Sequence, residues 1–496
     1  MAEGWDDLIS EMLSLSQEET ETAELAEAIR DDSDSESEAK LVACSPQTSD
    51  QWYVQLLKAH TKDIVPGGTQ ISGPIELLSG CTASFAEAAV LEALGIPFHA
   101  CSTSEPNPSF RKFAHCNHAV DHAHEFLRGQ ADDAPCTLHP HARSCCVPCS
   151  VDLSIFGTPC PPFSQQRSKR MVSGTVKNHV LYSTTFGEAT AFLERKEPKA
   201  AVMEQVRGFD KPEYAGDKST PMRRFLDEIR LLERSGNFPV GGGYHIVINM
   251  LDYAEWVKLS RPRIFLAFLR KDVYDLVDAK NFIEIFEMIQ RQQIAVGPLE
   301  ISSLLLPTDD PLWKQHMQDH TKNSKTRTPQ EPNDNAVWLR ETAAWREKLG
   351  ISPQFSPWTS CGFFEGIGLR KTHRVRDLLD CIVAEKTANL QKKTPAAIRA
   401  AMSGMYADTS QSHSRRTFTN KTGITNCLTT SSELYSFDRD AIVLPVEHLL
   451  LHGHHKSTVI PNGMSQADIK ELAGEGMALP CLAVIIWSIF LTKQFP

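Results

Sequence analysis

The sequence has no long hydrophobic run. Its longest mostly apolar stretch, residues 478–491, has 14 residues and includes Pro480 and Ser488. A helix that spans a bilayer needs about 20 apolar residues, so this stretch predicts a buried helix instead. Residues 1–13 carry acidic side chains and lack an apolar core, so we expect neither a secretory signal peptide nor a membrane partner.

An excess of positive charge is also missing. The net charge is negative, but almost all of the negative charge lies in one segment of the chain. The formal net charge is −11, and residues 1–40 contribute −12 through 14 acidic and 2 basic side chains. The rest of the chain is therefore close to neutral. Residues 1–48 are rich in serine and poor in aromatic side chains, so we expect an acidic disordered tail that could dock a protein partner.

Cysteine is not scarce, but nothing indicates that it forms disulfides. The chain has 13 cysteines and no secretory signal, which favours free thiols in a reducing compartment. A Cys/His-rich insertion over residues 115–150 contains two pairs with the spacing of zinc ligands. Because the pairs lack a familiar complete pattern, we predict no metal site. The candidates, if the insertion does bind zinc, are Cys136, His139, Cys146 and Cys149.

An α/β pattern begins near residue 75. The predicted elements are a strand, a turn, a helix and a second strand at residues 74–78, 79–84, 85–94 and 98–103. Ser84 is the expected N-cap of the helix, with Glu87 completing a capping box, and Gly95 closes it. Glu105 follows the second strand. In nucleotide-binding α/β folds, an acid at this spacing binds ribose hydroxyls.

A proline-rich loop presents one cysteine. Residues 153–156 predict a strand that ends in Gly157, and Cys160 follows, flanked by prolines. Proline fixes φ and removes an N–H, so the turn is stiff. A thiol on a rigid loop at the C-terminal end of a strand is well placed to act as a nucleophile. The cations of residues 167–170 would lower a thiol pKa and suit a phosphate-bearing substrate. A buried structural cysteine is the alternative.

An acid and two arginines follow later in the chain. Residues 200–203 predict another buried strand, which presents Glu204 at the edge where α/β sites form. Arg261 and Arg263 lie two residues apart at the start of an apolar strand over 264–269, so they face the same way. Two guanidiniums there could bind a carbonyl and a backbone phosphate. A surface acid and edge-strand arginines are the structural alternatives.

These three motifs, in this order, resemble those of the cytosine-C5 methyltransferases. GTPCPPFS at 157–164 resembles their catalytic loop, in which a Pro-Cys pair attacks C6 of the base. MEQV at 203–206 is similar to their Glu-Asn-Val motif, with Gln205 in place of Asn. LSRPR at 259–263 is similar to Gln-x-Arg-x-Arg, with Leu259 in place of Gln. The catalytic residues that the resemblance implies are Cys160, Glu204, Arg261 and Arg263.

The resemblance also implies the cofactor S-adenosyl-L-methionine. IELLSGCTASF at 75–85 resembles the family's Phe-x-Gly-x-Gly stretch, and SEPNP at 104–108 resembles the segment with the ribose-binding acid. LAGEGMALP at 472–480 resembles the final Gly-Asn segment, with Glu475 in place of Asn. The cofactor-binding residues implied are Leu78, Ser79, Gly80, Cys81, Glu105, Pro106, Pro161, Gly474, Glu475 and Gly476.

The fold implied is α/β, with a doubly wound, mostly parallel sheet of the Rossmann-like class I methyltransferase type and a second, variable target-recognition lobe. The catalytic lobe is expected over residues 49–271 and the recognition lobe over 272–407. Residues 408–496 are expected to return to the catalytic lobe. Within the recognition lobe we predict helices at about 336–349, with Asn335 as N-cap, and at 375–390.

The function implied is methyl transfer to C5 of cytosine in DNA, with a nuclear localisation. Three alternatives stay open. An RNA methyltransferase, for example one that acts on tRNA, would use the same catalytic set. A non-catalytic nucleic-acid-binding or scaffold protein would explain the residues that depart from the family pattern. A zinc-dependent binding module would use the Cys/His-rich insertion. Failure to bind the cofactor would favour the scaffold, and a metal assay would test the zinc module.

Overall fold

The computed structural model describes residues 51–64, 73–167, 170–324 and 336–494. The predicted tail at 1–48 and the predicted N-cap Asn335 lie outside these residues. Seven strands form one sheet in the order β3-β2-β1-β4-β5-β7-β6. The strands are β1 (Ile75–Gly80), β2 (Phe98–Ser104), β3 (His122–His124), β4 (Leu153–Gly157), β5 (Ala200–Val206), β6 (Tyr244–Asp252) and β7 (Pro262–Arg270).

The sheet is doubly wound and mostly parallel, which confirms the predicted fold class. Strands β1 to β5 pair in parallel, and β7 is antiparallel to both of its neighbours. The strand order reverses between β1 and β4, whose carboxyl ends therefore open a crevice of the kind in which α/β proteins bind ligands. The loop that follows β1 and the loop that carries Cys160 both start at this edge.

Helices cover both faces of the sheet. They are α1 (Trp52–His60), α2 (Ala86–Leu94), α3 (Pro108–Asn117), α4 (Leu127–Ala131), α5 (Ala189–Lys196), α6 (Pro221–Arg234) and α7 (Leu276–Val296). One face of the sheet buries Leu77, Ile155 and Val202, while the other buries Phe156 and Met203. Successive side chains of a strand point to opposite faces, so each central strand contributes to both cores.

The start of α2 differs from the prediction. Its N-cap is Phe85, in a left-handed conformation with φ 56°, and no side chain caps the helix. The Ser84 hydroxyl is buried and has no hydrogen-bond partner among the described residues. The predicted capping box of Ser84 and Glu87 is therefore wrong, because the loop turns one residue later than its sequence indicates. The end is as predicted, with Gly95 at φ 75°.

A second lobe follows α7. Its elements, with the helices that return to the sheet, are α8 (Pro311–Ser324), α9 (Val337–Leu349), α10 (His373–Lys386), α11 (Pro395–Ala401), β8 (Tyr406–Asp408), β9 (Leu434–Ser436), β10 (Ala441–Ile442), α12 (Pro445–Leu451), α13 (Gln466–Glu475) and α14 (Leu479–Thr492). Strands β8 to β10 form a small antiparallel sheet. The predicted helices at 336–349 and 375–390 correspond to α9 and α10.

The hydrophobic cores divide the lobes differently from the predicted boundaries at 272 and 408. Helix α7 packs through Phe282 and Ile289 on the core of the large sheet. Tyr435 and Ile442, from the region expected to return to the catalytic lobe, belong instead to the core of the second lobe. That core extends from Leu306 to Val446 and combines side chains of α10 with side chains of the small sheet formed by β8, β9 and β10.

Helix α14 is the buried helix that the apolar run at 478–491 predicts. Leu479 to Phe490 are all buried, and they pack on the sheet core together with α2 and α7. No single described helix is long and apolar enough to cross a membrane. The pair α13 and α14 satisfies the length and composition criteria only together, across a bend of 42°.

Replacing a core residue of α14 should destabilise the catalytic lobe. Ile485 is completely buried, so Ile485→Ala should lower the free energy of unfolding by about 2–5 kcal/mol, through lost burial and the cavity left behind. Urea unfolding followed by tryptophan fluorescence measures the change. Val277→Ala, at a 63% exposed position on α7, is the control and should stay within about 0.5 kcal/mol of the parent. Equal losses in both variants would contradict the assignment of α14 to the core.

Candidate active site

The loop after β4 is held by a side chain of the neighbouring strand. Gln205 of β5 donates from Nε2 to the Thr158 carbonyl at 2.8 Å, to Thr158 Oγ1 at 3.0 Å and to the Pro159 carbonyl at 3.3 Å. Its Oε1 accepts from the Val206 N–H at 2.9 Å. The loop then turns tightly, since the Ser164 N–H donates to the Cys160 carbonyl at 2.9 Å. Gln205 thus fixes the backbone immediately before Cys160.

Arg170 holds the other end of this loop. It is 2% exposed and donates from Nε to the Phe163 carbonyl at 3.1 Å and from Nη2 to the Gly208 carbonyl at 2.9 Å. Its remaining donors reach the carbonyls of Lys211, Pro212 and Glu213. From the sequence, Arg170 is expected in a cluster of exposed cations. In the structure it is buried and links two backbone segments through their carbonyls. Nothing in the local sequence distinguishes it from Arg167, which is partly exposed.

An acid and an arginine form an ion pair at the ends of β5 and β7. Glu204 lies opposite Gly157 of β4 in the strand ladder. Arg263 Nε is 2.6 Å from Glu204 Oε1, and both side chains are nearly buried. A Cβ at Gly157 would lie 3.8 Å from Glu204 Oε2. The ion pair therefore orients the carboxylate with its second oxygen on the side of the Cys160 loop.

The charges of this region act on the Cys160 thiol in opposite directions. Burial raises the pKa of the thiol above its ordinary value. The Arg263 and Arg261 guanidiniums oppose the increase, whereas the Glu204 and Glu475 carboxylates add to it. In the structure, the predicted nucleophile Cys160 therefore lies close enough to the predicted acid and to both arginines for their charges to affect its pKa.

Arg261 has a different task from Arg263. It lies just before β7 and is 2% exposed. Its Nη1 donates to the Leu428 carbonyl at 3.3 Å, and its Nη2 donates to the carbonyls of Gly474 and Gly476 at 3.1 and 2.5 Å. The guanidinium thus ties the start of β7 to the two segments that close the site. This arrangement differs from the expectation that both guanidiniums face a ligand.

The loop after β1 keeps a strained geometry without glycines. Cys81, Ala83 and Phe85 have φ of 52°, 44° and 56°, a region that costs a non-glycine residue of order 1 kcal/mol or more. The Cys81 N–H donates to Ser104 Oγ at 3.2 Å, and the Ala83 N–H donates to Glu105 Oε2 at 2.9 Å. The end of β2 therefore holds this loop in place. Gly80 packs closely on its neighbours, because a Cβ there would lie 2.7 Å from Leu127 Cδ1 and would require that side chain to move.

Glu105 lies buried at the end of β2. Its Oε1 accepts from the Asn107 N–H at 2.9 Å, and the Glu105 and Pro106 carbonyls accept from Arg111. Burial raises the pKa of the carboxyl, while the N–H groups of Asn107 and Ala83 oppose the increase. Each carboxylate oxygen can accept more than one hydrogen bond, so these contacts leave Glu105 able to bind hydroxyl groups as well.

The segment before α14 closes the crevice from the other side. A Cβ on Gly476 would lie 3.0 Å from Ser84 Oγ, so the loop after β1 and this segment touch. Glu475 is open to solvent, but many protein atoms surround it. The reduced hydration, with repulsion from Glu105 and Glu471, raises the pKa of its carboxyl to about 7.

The residues of this crevice fit a nucleoside cofactor with a positively charged end. The buried Glu105 carboxylate suits ribose hydroxyls, the Ser84 hydroxyl is buried without a partner among the described residues, and Glu475 supplies an acid. The other predicted cofactor residues lie at the same edge: Leu78, Ser79 and Cys81 in or after β1, Pro161 in the Cys160 loop, and Gly474 beside Thr430.

The predicted zinc candidates separate into two groups. Cys136 and His139 lie together, and His122 and Cys145, which the sequence did not single out as ligands, join them. Cys146 and Cys149 are exposed, and the Cys149 thiol donates to the Arg195 carbonyl. Spacing along the chain could identify the Cys136–His139 pair but not the partners that the fold brings to it.

Comparison with known proteins gives one family. The sequence matches the family model of C-5 cytosine-specific DNA methylase over residues 142–421. Among solved structures, the chain is similar to the Dnmt2 methyltransferase of S. pombe, with 14% identity, 84% of this chain and 98% of that chain covered, and a TM-score of 0.41. It is also similar to the methyltransferase EhMeth of Entamoeba histolytica, with 10% identity, the same coverages and a TM-score of 0.42. A comparison with curated proteins found no match.

A methyl group at Gly208 should disturb the support of the Cys160 loop. A Cβ there would lie 1.9 Å from the Phe163 carbonyl oxygen, which the rigid loop can relieve only by moving. Gly208→Ala should lower the free energy of unfolding by about 1–3 kcal/mol, the cost typical of overpacking. Chemical denaturation measures it. Gly362→Ala, where a Cβ meets nothing within 4 Å, is the control and should be neutral or slightly stabilising. A neutral Gly208→Ala would contradict the close approach.

Proposed function

Because the chain belongs to the C-5 cytosine-specific DNA methylase family, we propose that it transfers a methyl group from S-adenosyl-L-methionine to C5 of cytosine in DNA. The observation that carries the proposal is the arrangement of Cys160, Glu204 and Arg263 at one edge of the sheet, with Arg263 Nε 2.6 Å from the Glu204 carboxylate. A buried acid held by an arginine beside a rigid thiol loop is suited to nucleophilic attack on a flat, polar ring.

The cofactor would lie in the crevice between the loop after β1 and the segment before α14. Glu105 would accept hydrogen bonds from ribose hydroxyls, and the loop of Gly80 and Cys81 would pass close to the cofactor. Glu475 would lie near its positively charged amino-acid end. When bound, S-adenosyl-L-methionine supplies an electrophilic methyl group. The protein's part is to hold that group over the base and to exclude water.

The reaction begins at Cys160. C5 of cytosine is a poor nucleophile, and bond formation between the thiolate sulfur and C6 makes C5 enamine-like. C5 then takes the methyl group as the bond between that group and the cofactor's sulfur breaks. Water takes the C5 proton, and its electron pair expels the Cys160 sulfur from C6 as the thiolate. Gln205 and Arg170 keep the sulfur in position during both steps. Burial raises the pKa of the thiol. The nearby guanidiniums are therefore needed to stabilise the thiolate that attacks C6.

Glu204 recognises and activates the base. It would hold a proton against N3, accept a hydrogen bond from the exocyclic amine of the cytosine, and so stabilise the charge that develops on the ring as the sulfur attacks. Arg263 holds one carboxylate oxygen and leaves the other directed towards Gly157. Arg261 acts as a positioning residue, because its guanidinium binds backbone carbonyls around the site.

The target base has to leave the double helix, because C6 is out of reach while the base is stacked. Unstacking costs a few kcal/mol, which contacts to the phosphate backbone must offset. Arg415 of the second lobe is exposed and donates to the Gln166 carbonyl at 3.1 Å. The second lobe thus meets the Cys160 loop beside Arg167. Cations from both lobes at this contact would suit a nucleic-acid backbone.

Trapping the covalent adduct tests the proposal. Fluorine at C5 blocks the final elimination, so incubation with S-adenosyl-L-methionine and a DNA oligonucleotide containing 5-fluorocytosine should join the protein to the DNA. Cys160→Ala should abolish the adduct, and Glu204→Gln should slow its formation by about 100-fold or more. A denaturing gel and mass spectrometry detect the product.

Cys427 provides the matched control. Its sulfur is 3.7 Å from Arg261 Nη1, so it is a second thiol of the same region. Cys427→Ala should keep the adduct. An adduct on an RNA oligonucleotide but not on DNA would move the proposal to the RNA alternative. No adduct on either, together with no detectable cofactor binding, would overturn the enzyme in favour of the scaffold.

Cofactor affinity should depend on the charge of Glu475. The pKa of this carboxyl is raised to about 7, so the group is neutral below pH 7 and becomes a carboxylate as the pH rises through 7. Binding of the positively charged cofactor should therefore tighten about 2- to 5-fold from pH 6 to pH 8, the effect of one exposed ion pair. Isothermal titration calorimetry measures it.

Two variants test the origin of this dependence. Glu475→Gln should remove it and leave the weaker affinity at all pH values. Glu471→Gln should keep the dependence but move its midpoint to lower pH, because Glu471 contributes to raising the pKa of Glu475. A pH dependence that persists unchanged in Glu475→Gln would contradict the assignment.

A further inference from the structure

Four potential metal ligands meet at the edge of the sheet, away from the Cys160 loop. They are His122 of β3 and Cys136, His139 and Cys145 of the following insertion, and one ligand atom of each lies within 4.8 Å of the others. Both sulfurs are buried, whereas His139 is exposed and His122 partly so. The cluster therefore has a closed sulfur side and an open imidazole side.

The distances among His122, Cys136 and His139 are those of a tetrahedral zinc site, and Cys145 lies within 4.8 Å of all three. With Zn–N of about 2.0–2.1 Å and Zn–S of about 2.3 Å, the edges of the tetrahedron are about 3.3 Å between two nitrogens and about 3.6 Å between nitrogen and sulfur. His122 Nδ1 and His139 Nδ1 are 3.2 Å apart. Cys136 Sγ is 3.3 Å from His139 Nδ1 and 3.9 Å from His122 Nδ1. All three distances match to within about 0.3 Å.

The backbone holds the ligands in this arrangement. The His139 N–H donates to the Cys136 carbonyl in a tight turn, and the Thr137 N–H donates to the Ala123 carbonyl of β3 at 2.7 Å. The Cys145 N–H donates to the Asp133 carbonyl at 2.9 Å. These bonds fix the loop against the strand without using the imidazoles or thiols, whose contacts are with one another.

Neither a hydrogen bond nor a disulfide alone accounts for the whole cluster. A hydrogen bond between the two Nδ1 atoms would explain why His122 and His139 approach, but not why two thiols join them. A disulfide between Cys136 and Cys145 would explain the thiols but leave two imidazoles directed at it. Zinc accounts for all four, and two thiolates with two neutral imidazoles balance its charge. Two Cys and two His form one of the standard structural sets.

We propose that His122, Cys136, His139 and Cys145 bind a structural Zn²⁺ ion. The ion takes the place of two thiol protons, which are released to solvent. It joins the insertion to β3, whose three residues form the edge of the sheet. The proposal replaces the prediction of no metal site and does not depend on the proposed enzymatic function.

The insertion needs such a link because it leads to β4. The Lys196 ammonium is buried and binds Asp133 Oδ1 at 2.6 Å and the Val147 carbonyl at 3.0 Å. The Ser150 N–H donates to the Lys196 carbonyl at 2.7 Å. Zinc at one end of the insertion and Lys196 at the other would thus fix the segment that enters the strand before Cys160.

Metal analysis of the full-length protein tests the site. Protein purified without chelator should contain about one zinc per chain, measured by inductively coupled plasma mass spectrometry. Cys136→Ser and Cys145→Ser should lose most of this zinc. The neighbouring Cys146→Ser and Cys149→Ser are matched controls and should keep it. In the same way, His139→Asn should lose the metal and His141→Asn should retain it.

A spectroscopic measurement on the unmodified protein covers variants that fail to fold. Exchange of zinc for Co²⁺ should give the visible spectrum of a tetrahedral ion with two thiolate ligands, and chelation should lower the melting temperature. No zinc together with no Co²⁺ spectrum would overturn the proposal. Zinc retained in both Cys136→Ser and Cys145→Ser would also overturn it. So would a disulfide between Cys136 and Cys145 in protein purified with a reducing agent.

Discussion

A loop rich in proline has few N–H groups, so its carbonyls need donors from elsewhere in the protein. This constraint applies to the Cys160 loop. Gln205 satisfies the carbonyls before the cysteine, and Arg170 satisfies the Phe163 carbonyl after it. The guanidinium of Arg170 also binds the Gly208 carbonyl. The stiffness of the loop therefore comes from two side chains outside the turn, in addition to the fixed φ of proline.

The charges around the thiol follow from the same packing. Glu204 and Arg263 are both nearly buried, and each neutralises the other. Removal of one partner would leave an uncompensated buried charge, which is commonly far more costly than the pair itself is worth. The pair thus has to be present as a unit. It lies on adjacent strands, so the sheet that supports the nucleophile also fixes the acid.

Much of this architecture could be predicted from local sequence. Strands β1, β2, β4, β5 and β7, the helix ended by Gly95 and the buried α14 follow from hydrophobic patterns and turn residues. The Cys160 loop and Glu204 follow from strands that end in reactive side chains. What local patterns missed depends on contacts distant in sequence. Arg170 looks like a surface cation, and His122 joins Cys136 only because β3 passes beside the insertion. Helix α7 packs on the large sheet for the same reason.

Residues that differ from the family pattern form hydrogen bonds that keep the local structure in place. Gln205 is one methylene longer than asparagine, and this length lets it reach the carbonyls before Cys160. Thr82 and Ala83 stand where glycines are usual in the family. Hydrogen bonds to Ser104 and Glu105 nevertheless hold Cys81 and Ala83 in the left-handed conformation that glycine would adopt freely.

Such strain is unfavourable and persists only where the neighbouring structure enforces it. A protein that used this fold merely as a scaffold would gain stability from a relaxed loop. The strained loop lies beside an intact thiol and an intact acid, and this combination favours the enzyme over the scaffold interpretation.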